Sequence, residues 1–128
     1  MGPDWDGDNH LHVILGQCAI QEDWHDANGF DGKGWFVVDP KTGTLTHFWL
    51  TSQAYEAAGI IKRVEVPSGS PSTIRVQRTV ALPSGASILD RATMTPRGDG
   101  TVHQLIEVSI DCGKTWTSRY DAIYRRIR

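Results

Sequence analysis

Apolar and polar residues alternate with period two along almost the whole chain, and clusters of Gly, Pro, Asp and Ser interrupt the alternation about every ten residues. Successive side chains of a strand point to opposite faces, so this pattern belongs to strands with one buried and one wetted face. It predicts strands over His10–Leu15, Cys18–His25, Lys33–Val38, Leu45–Thr51, Gly59–Val66, Thr73–Leu82, Ser87–Thr95, Val102–Ile110 and Thr115–Tyr124. Between them Asn28-Gly29, Asp39–Gly43, Pro67–Pro71, Pro83–Gly85 and Pro96–Gly100 carry the residues that hairpin turns require. No segment supports a helix of three turns; Gln53–Ala58 has room for one turn at most. Eight or nine short strands with short loops form an antiparallel meander, and a meander loses its exposed edges by closing into an up-and-down β-barrel. Barrels of that strand number can enclose one small ligand. A flattened sandwich is the architectural alternative.

At 128 residues the chain is long enough for one core, and the expectation is a single domain over 1–128 with residues 1–8 flexible. The net charge is -2, with acidic and basic residues interspersed, so no basic field invites nucleic acid. The run Arg125–Arg128 is short and reads as a solvated strand end. The longest apolar stretch, Leu11–Ile20, is broken by Gly16 and Gln17 and has no basic segment before it, so neither a signal peptide nor a membrane span is expected. Two cysteines, Cys18 and Cys112, fit free thiols in a reducing compartment better than a disulfide framework, and a cytoplasmic protein is expected.

The octapeptide Ser109-Ile-Asp-Cys-Gly-Lys-Thr-Trp116 matches Ser-x-Asp-x-Gly-x-Thr-Trp and resembles the Asp-box of sialidase propellers. A propeller of four-stranded blades does not fit in this length, and the box occurs once where propellers repeat it. The residues themselves describe a hairpin clasp. Asp111 can accept hydrogen bonds from turn amides, Gly113 can take positive φ, and Trp116 can cover the turn.

The C-terminal third, from Arg91-Ala-Thr-Met-Thr-Pro through Asp99-Gly-Thr-Val-His-Gln and Asp111-Cys-Gly-Lys-Thr-Trp to Tyr124-Arg-Arg, resembles a family of small, uncharacterised bacterial lipocalin-like (calycin) β-barrels. That family ends in a "DGxVxQ…SxDGGxTW…YRR" signature. Ile14-Leu-Gly-Gln-Cys with Glu22-Asp-Trp is similar to its "ILGGC…EEW", and Asp39-Pro-Lys-Thr-Gly with Phe48-Trp49 to its "YDPATGKW…TW" hairpin. The resemblance spans roughly residues 7 to 126 and implies a lipocalin-like barrel in which the octapeptide is a hairpin without catalytic duty. Members usually begin with a further strand around "GEW". Its absence here implies a barrel short of a strand, or an edge left open for a second copy, so a homodimer is expected as an alternative. Cys112 stands where the family turn has glycine. His12, His47 and Phe36 stand where glutamate, glutamine and asparagine are common, which implies a changed pocket.

Alternation selects candidate inward residues independently of any family. Gln104 is polar among Val102, Ile106 and Val108; Arg78 interrupts Ile74, Val76, Val80 and Leu82; His47 lies between Leu45 and Trp49. The same parity puts Trp116, Tyr120 and Tyr124 on one face of the last strand. If those faces are internal, the barrel binds a small apolar or amphipathic molecule through His47, Trp49, Arg78, Gln104, Trp116, Tyr120 and Tyr124, because buried polar groups must find partners. Equally, Arg78 can lie over the rim, Gln104 can satisfy nearby backbone, and the aromatics can be core.

His10 and His12 share a strand face, as a metal pair would, but that face is the less apolar one and surface histidines are the expectation. Asp4-Trp-Asp-Gly-Asp begins like a calcium loop and lacks the closing glutamate, Leu15 standing there. No cofactor or metal is expected. No nucleophile elbow, phosphate loop or dinucleotide fingerprint is present. The enzymatic alternative is a cofactor-independent lyase, isomerase or cyclase with His47 as acid/base, Arg78 or Gln104 stabilising an anion, and Glu107 or Asp90 as further proton carriers. A homo-oligomeric interaction protein is the third reading.

Overall fold

In a computed structural model, residues 7–27, 29, 31–51 and 60–125 are described. They form nine β-strands and no helix: β1 Gly7–Ile14, β2 Ala19–Asp26, β3 Asp31–Val38, β4 Leu45–Thr51, β5 Ile61–Glu65, β6 Ile74–Ala81, β7 Ser87–Pro96, β8 Val102–Ser109 and β9 Thr117–Tyr124. Strand order follows chain order, so the all-β, antiparallel, up-and-down class expected from the alternation is what the chain forms. No helix among the described residues is long and apolar enough to cross a membrane. The turn considered for Gln53–Ala58, the start of the calcium-like stretch through Asp6, and Arg126–Arg128 lie outside the described residues. The chain divides into two compact units between Val64 and Glu65.

In the N-terminal meander the registers run Glu22↔Gly34, Gly34↔Trp49, Phe36↔His47 and His47↔Arg63. One face therefore collects Glu22 and Trp24 of β2, Gly32, Gly34 and Phe36 of β3, His47 and Trp49 of β4, and Arg63 of β5. The two glycines decide how this face packs. A Cβ on Gly32 would sit 2.5 Å from the Trp49 ring, and one on Gly34 would sit 2.0 Å from a Glu22 carboxylate oxygen. Strand β3 thus presents bare backbone on which side chains of both neighbouring strands lie. The opposite face is charged: Asp23 receives Lys33 and His12, and His25 pairs with Asp31 at 2.6 Å. The Lys33 ammonium, followed by the Gln21 amide, holds the Asp23 carboxyl below its ordinary value of 3.8.

In the C-terminal meander the registers Arg78↔Asp90, Asp90↔Val108 and Ile106↔Tyr120 put Val76, Arg78, Asp90, Ala92, Met94, Gln104, Ile106, Tyr120 and Tyr124 on one face. Val76 and Ala92 are fully buried at its centre. Trp116 does not join Tyr120 and Tyr124, contrary to the simple parity of the sequence. The β8–β9 register passes from Ile106↔Tyr120 to Glu107↔Ser118, so Arg119 is an inserted bulge residue. One inserted residue exchanges the faces of everything before it. Trp116 consequently lies on the other face, with the Arg91 guanidinium 3.6 Å from its ring centroid.

The buried set among the described residues is more polar than apolar: Glu22, His47, Arg63, Asp90, Thr93 and Ser109 against Ala19, Val76 and Ala92. Hydrogen bonding must therefore carry much of the order inside each meander. The β8–β9 hairpin shows how. Asp111 accepts from the Thr115 hydroxyl at 2.5 Å, the Thr115 amide at 2.9 Å and the Ser109 hydroxyl at 2.8 Å, while Ser109 Oγ takes the Gly113 amide at 2.8 Å. These donors, the Thr115 hydroxyl foremost, lower the Asp111 carboxyl from 3.8 to about 2. The Trp116 indole closes the clasp on the Gly113 carbonyl at 3.2 Å. Cys112 adopts φ 62°, where glycine would be unstrained, and Leu15 and Gln17 do the same at 52° and 73° in the β1–β2 turn.

Candidate functional site

His47 is held by three adjacent strands. It projects from β4 onto the face where β3 has no side chain at position 34, so Glu22 of β2 reaches across that gap. Glu22 Oε1 lies 2.6 Å from His47 Nε2, and both groups are buried, at 6 % and 4 % exposure. The other carboxylate oxygen, Oε2, accepts from Asn9 Nδ2 of β1 at 2.9 Å. Phe36 stacks on the imidazole with centroids 4.3 Å apart and planes 21° from parallel. Trp49 lies 6.4 Å from the imidazole and meets Trp24 edge to face at 6.1 Å. Arg63, the register partner of His47 on β5, is 5 % exposed and brings a cation to the same face.

His47 Nδ1 and Asn9 Oδ1 of this cluster are shielded from water and have no hydrogen-bond partner among the described residues, and the Arg63 Nε–H is shielded on the same face. A buried group left so costs about 1–3 kcal/mol. Glu22 is the common cause. It accepts from the Asn9 amide and meets His47 Nε2, so it fixes the orientation of both side chains and leaves Asn9 Oδ1 and His47 Nδ1 as their remaining polar atoms. A carboxylate that orients an imidazole while the second ring nitrogen stays open can position a polar ligand group or exchange a proton with one.

The other expected site residues satisfy one another inside the C-terminal meander. Arg78 Nε donates to Asp90 Oδ2 at 2.7 Å, so this arginine is the partner of a buried carboxylate. Tyr120 and Tyr124 exchange a hydroxyl hydrogen bond at 2.8 Å. Gln104 is half-buried on the same face, opposite Met94 and Ala122. Trp116 belongs to the other face, where Arg91 Nε also donates to Glu107 Oε1 at 3.1 Å. Of the named set, His47 and Trp49 come together within one meander, as do Arg78, Gln104, Tyr120 and Tyr124 within the other. His10 and His12 are exposed, and His12 Nε2 lies 3.1 Å from Asp23. Both cysteines are free and exposed.

Glu22 and Asn9 are residues of this face beyond the expected set. Glu22 is the one charged side chain in the row Cys18, Ile20, Glu22, Trp24, the same signal that singles out Arg78 and His47. A second signal lies in Gly32-x-Gly34, where Gly34 makes room for Glu22 and Gly32 for Trp49. Two glycines on one face of a strand mark a place where neighbouring side chains must cross. No protein-family model, curated protein or solved structure matches the chain.

Proposed function

We propose that the chain binds a small amphipathic molecule on the aromatic face of its N-terminal meander, the apolar body against Phe36 and Trp49 and a polar group at His47. The observation that carries this is His47 itself, 4 % exposed and tethered at Nε2, with Nδ1 unpartnered among the described residues. A few polar atoms converging in apolar surroundings are the usual form of a small-molecule site. The resemblance to lipocalin-like barrels points the same way by analogy of fold. A cytoplasmic setting belongs to this proposal, since two exposed thiols persist free in a reducing compartment.

Native mass spectrometry of gently purified protein tests it, together with quenching of the Trp24–Trp49 fluorescence by amphipathic probes. A retained small molecule, or saturable quenching weakened about tenfold in His47→Gln, is the expected result. Protein with no adduct, and with fluorescence indifferent to every probe, contradicts the reading.

The Glu22–His47 pair favours one second reading, in which His47 is an acid/base toward a bound substrate. Turnover of an identified substrate that survives His47→Gln unchanged would remove it.

A further inference from the structure

The registers align one residue from each of five strands across the His47 face. Arg63 of β5 lies opposite His47, His47 opposite Phe36, Phe36 opposite Ile20, and Ile20 opposite Val13 of β1. Directly opposed residues share a face, so the row runs unbroken across the meander. Its chemistry changes along the way. Arg63 and His47 are buried and polar, Phe36 is half-buried, and Ile20 and Val13 are apolar and increasingly exposed, at 38 % and 65 %. Leu11, two residues from Val13 on β1, is 61 % exposed, and Val38, two residues from Phe36 on β3, is exposed as well. Period two puts both on this face. Contiguous apolar side chains left in water beside a buried polar cluster mark a contact surface.

We infer that the apolar part of the ligand is a linear chain laid across the strands, from Phe36 over Ile20 to Val13, with Leu11 and Val38 along its sides. This rests on the reading of the His47 face as a small-molecule site, and it adds the shape of the ligand and the residues that measure its length. Neighbouring strands lie about 4.8 Å apart, so the path from His47 to Val13 covers about 14 Å. An extended hydrocarbon of about ten to twelve carbons has that length. A compact ring system ends over Phe36 and leaves Ile20, Val13 and Leu11 in water. A linear chain covers them, and each added methylene removes further apolar area from water. Val13, at the end of the row, is the residue that sets the preferred length.

Calorimetric titrations with 1-hexanol, 1-octanol and 1-decanol, and with 2-naphthol as a compact ten-carbon probe, test this on the unsubstituted chain and on Val13→Asp. Val13 is exposed on the end strand of the sheet order, a position where the fold tolerates a charge. The expected result is affinity rising about twofold per carbon from hexanol to decanol, half the free-energy gain of a fully buried methylene. In Val13→Asp decanol should bind about tenfold more weakly, because its end meets a carboxylate, while hexanol and 2-naphthol stay within about twofold. Alkanols that gain nothing with length, or a decanol loss no larger than the 2-naphthol loss in the variant, overturn the inference and leave the binding site standing. A dimer in sedimentation that Val13→Asp dissociates gives the exposed row to a second copy and overturns it too. Failure of all four probes to bind removes the site and the inference together.

Discussion

The two meanders bury comparable chemistry and treat it differently. In the C-terminal one, polar groups are satisfied by neighbours one strand away or on the same strand: Arg78 by Asp90, Arg91 by Glu107, Arg75 by the Thr93 hydroxyl at 3.0 Å, Tyr120 by Tyr124. In the N-terminal one, the central pair spans a whole strand over Gly34, and its histidine keeps one nitrogen without a partner among the described residues. Cross-strand pairing of nearest neighbours is how a sheet holds itself together. The Glu22–His47 pair depends on the bare backbone of Gly34 and is not a nearest-neighbour pair of this kind. Burial of polar groups alone therefore does not mark a site. The distinguishing feature is what remains unpaired after the sheet has formed.

The largest expected effect comes from closing the gap in the first meander. Gly34→Ala places a methyl group 2.0 Å from Glu22 Oε1 and must drive the carboxylate off His47. Separating a buried pair of this kind should cost about 3 kcal/mol in urea unfolding. The matched change in the second meander, Gly98→Ala, meets nothing within 4 Å and should stay within about 0.5 kcal/mol. Equal losses from the two would erase the contrast.

Next in size is Arg91→Leu, which removes both the Glu107 contact and the guanidinium over Trp116. The expected loss is about 1–2 kcal/mol, with bound-probe affinity at the His47 face unchanged. A large change in probe binding would mean that the second meander shapes the site.

Smaller, and opposite in sign, is the relief of backbone strain. Cys112→Gly at φ 62° should raise stability by about 0.5–1 kcal/mol, after the extra freedom of glycine in the unfolded chain is offset. Gln17→Gly at φ 73° should do the same for the first meander. The two increments should add, since the residues sit in separate turns.

The last effect appears only in acid. The Asp111 carboxyl is lowered in the folded chain, so its contribution is whole above about 3.8, the ordinary value, and is lost as pH falls toward about 2. In Asp111→Asn the stability lost between pH 4 and 2 should shrink relative to the unsubstituted chain, and the two curves should run parallel above pH 5. An unchanged acid limb in the variant would show that the clasp does not depend on this charge.

These contrasts also show where sequence was legible. All nine strands follow from alternation and turn residues, and their ends fall within a few residues of expectation, because period two and turn chemistry are local properties. The inward histidine was legible for the same reason. The face of Trp116 was not. Trp116, Tyr120 and Tyr124 keep perfect parity in the sequence, but the bulge at Arg119 is decided by the register between two strands, which neither strand states alone. Glu22 stood out in the row Ile20, Glu22, Trp24, but its pairing was hidden by distance, since His47 lies 25 residues on and two strands away. Gly34 of β3 carried a trace of that crossing.

The central claim is that the site lies on the His47 face of the first meander. Chemical-shift mapping of isotope-labelled protein titrated with 2-naphthol tests this most directly. The account predicts saturable shifts at His47, Phe36, Trp49 and Asn9, with Arg78, Gln104, Tyr120 and Tyr124 still. Shifts confined to the second group, or scattered over both without saturation, would contradict it.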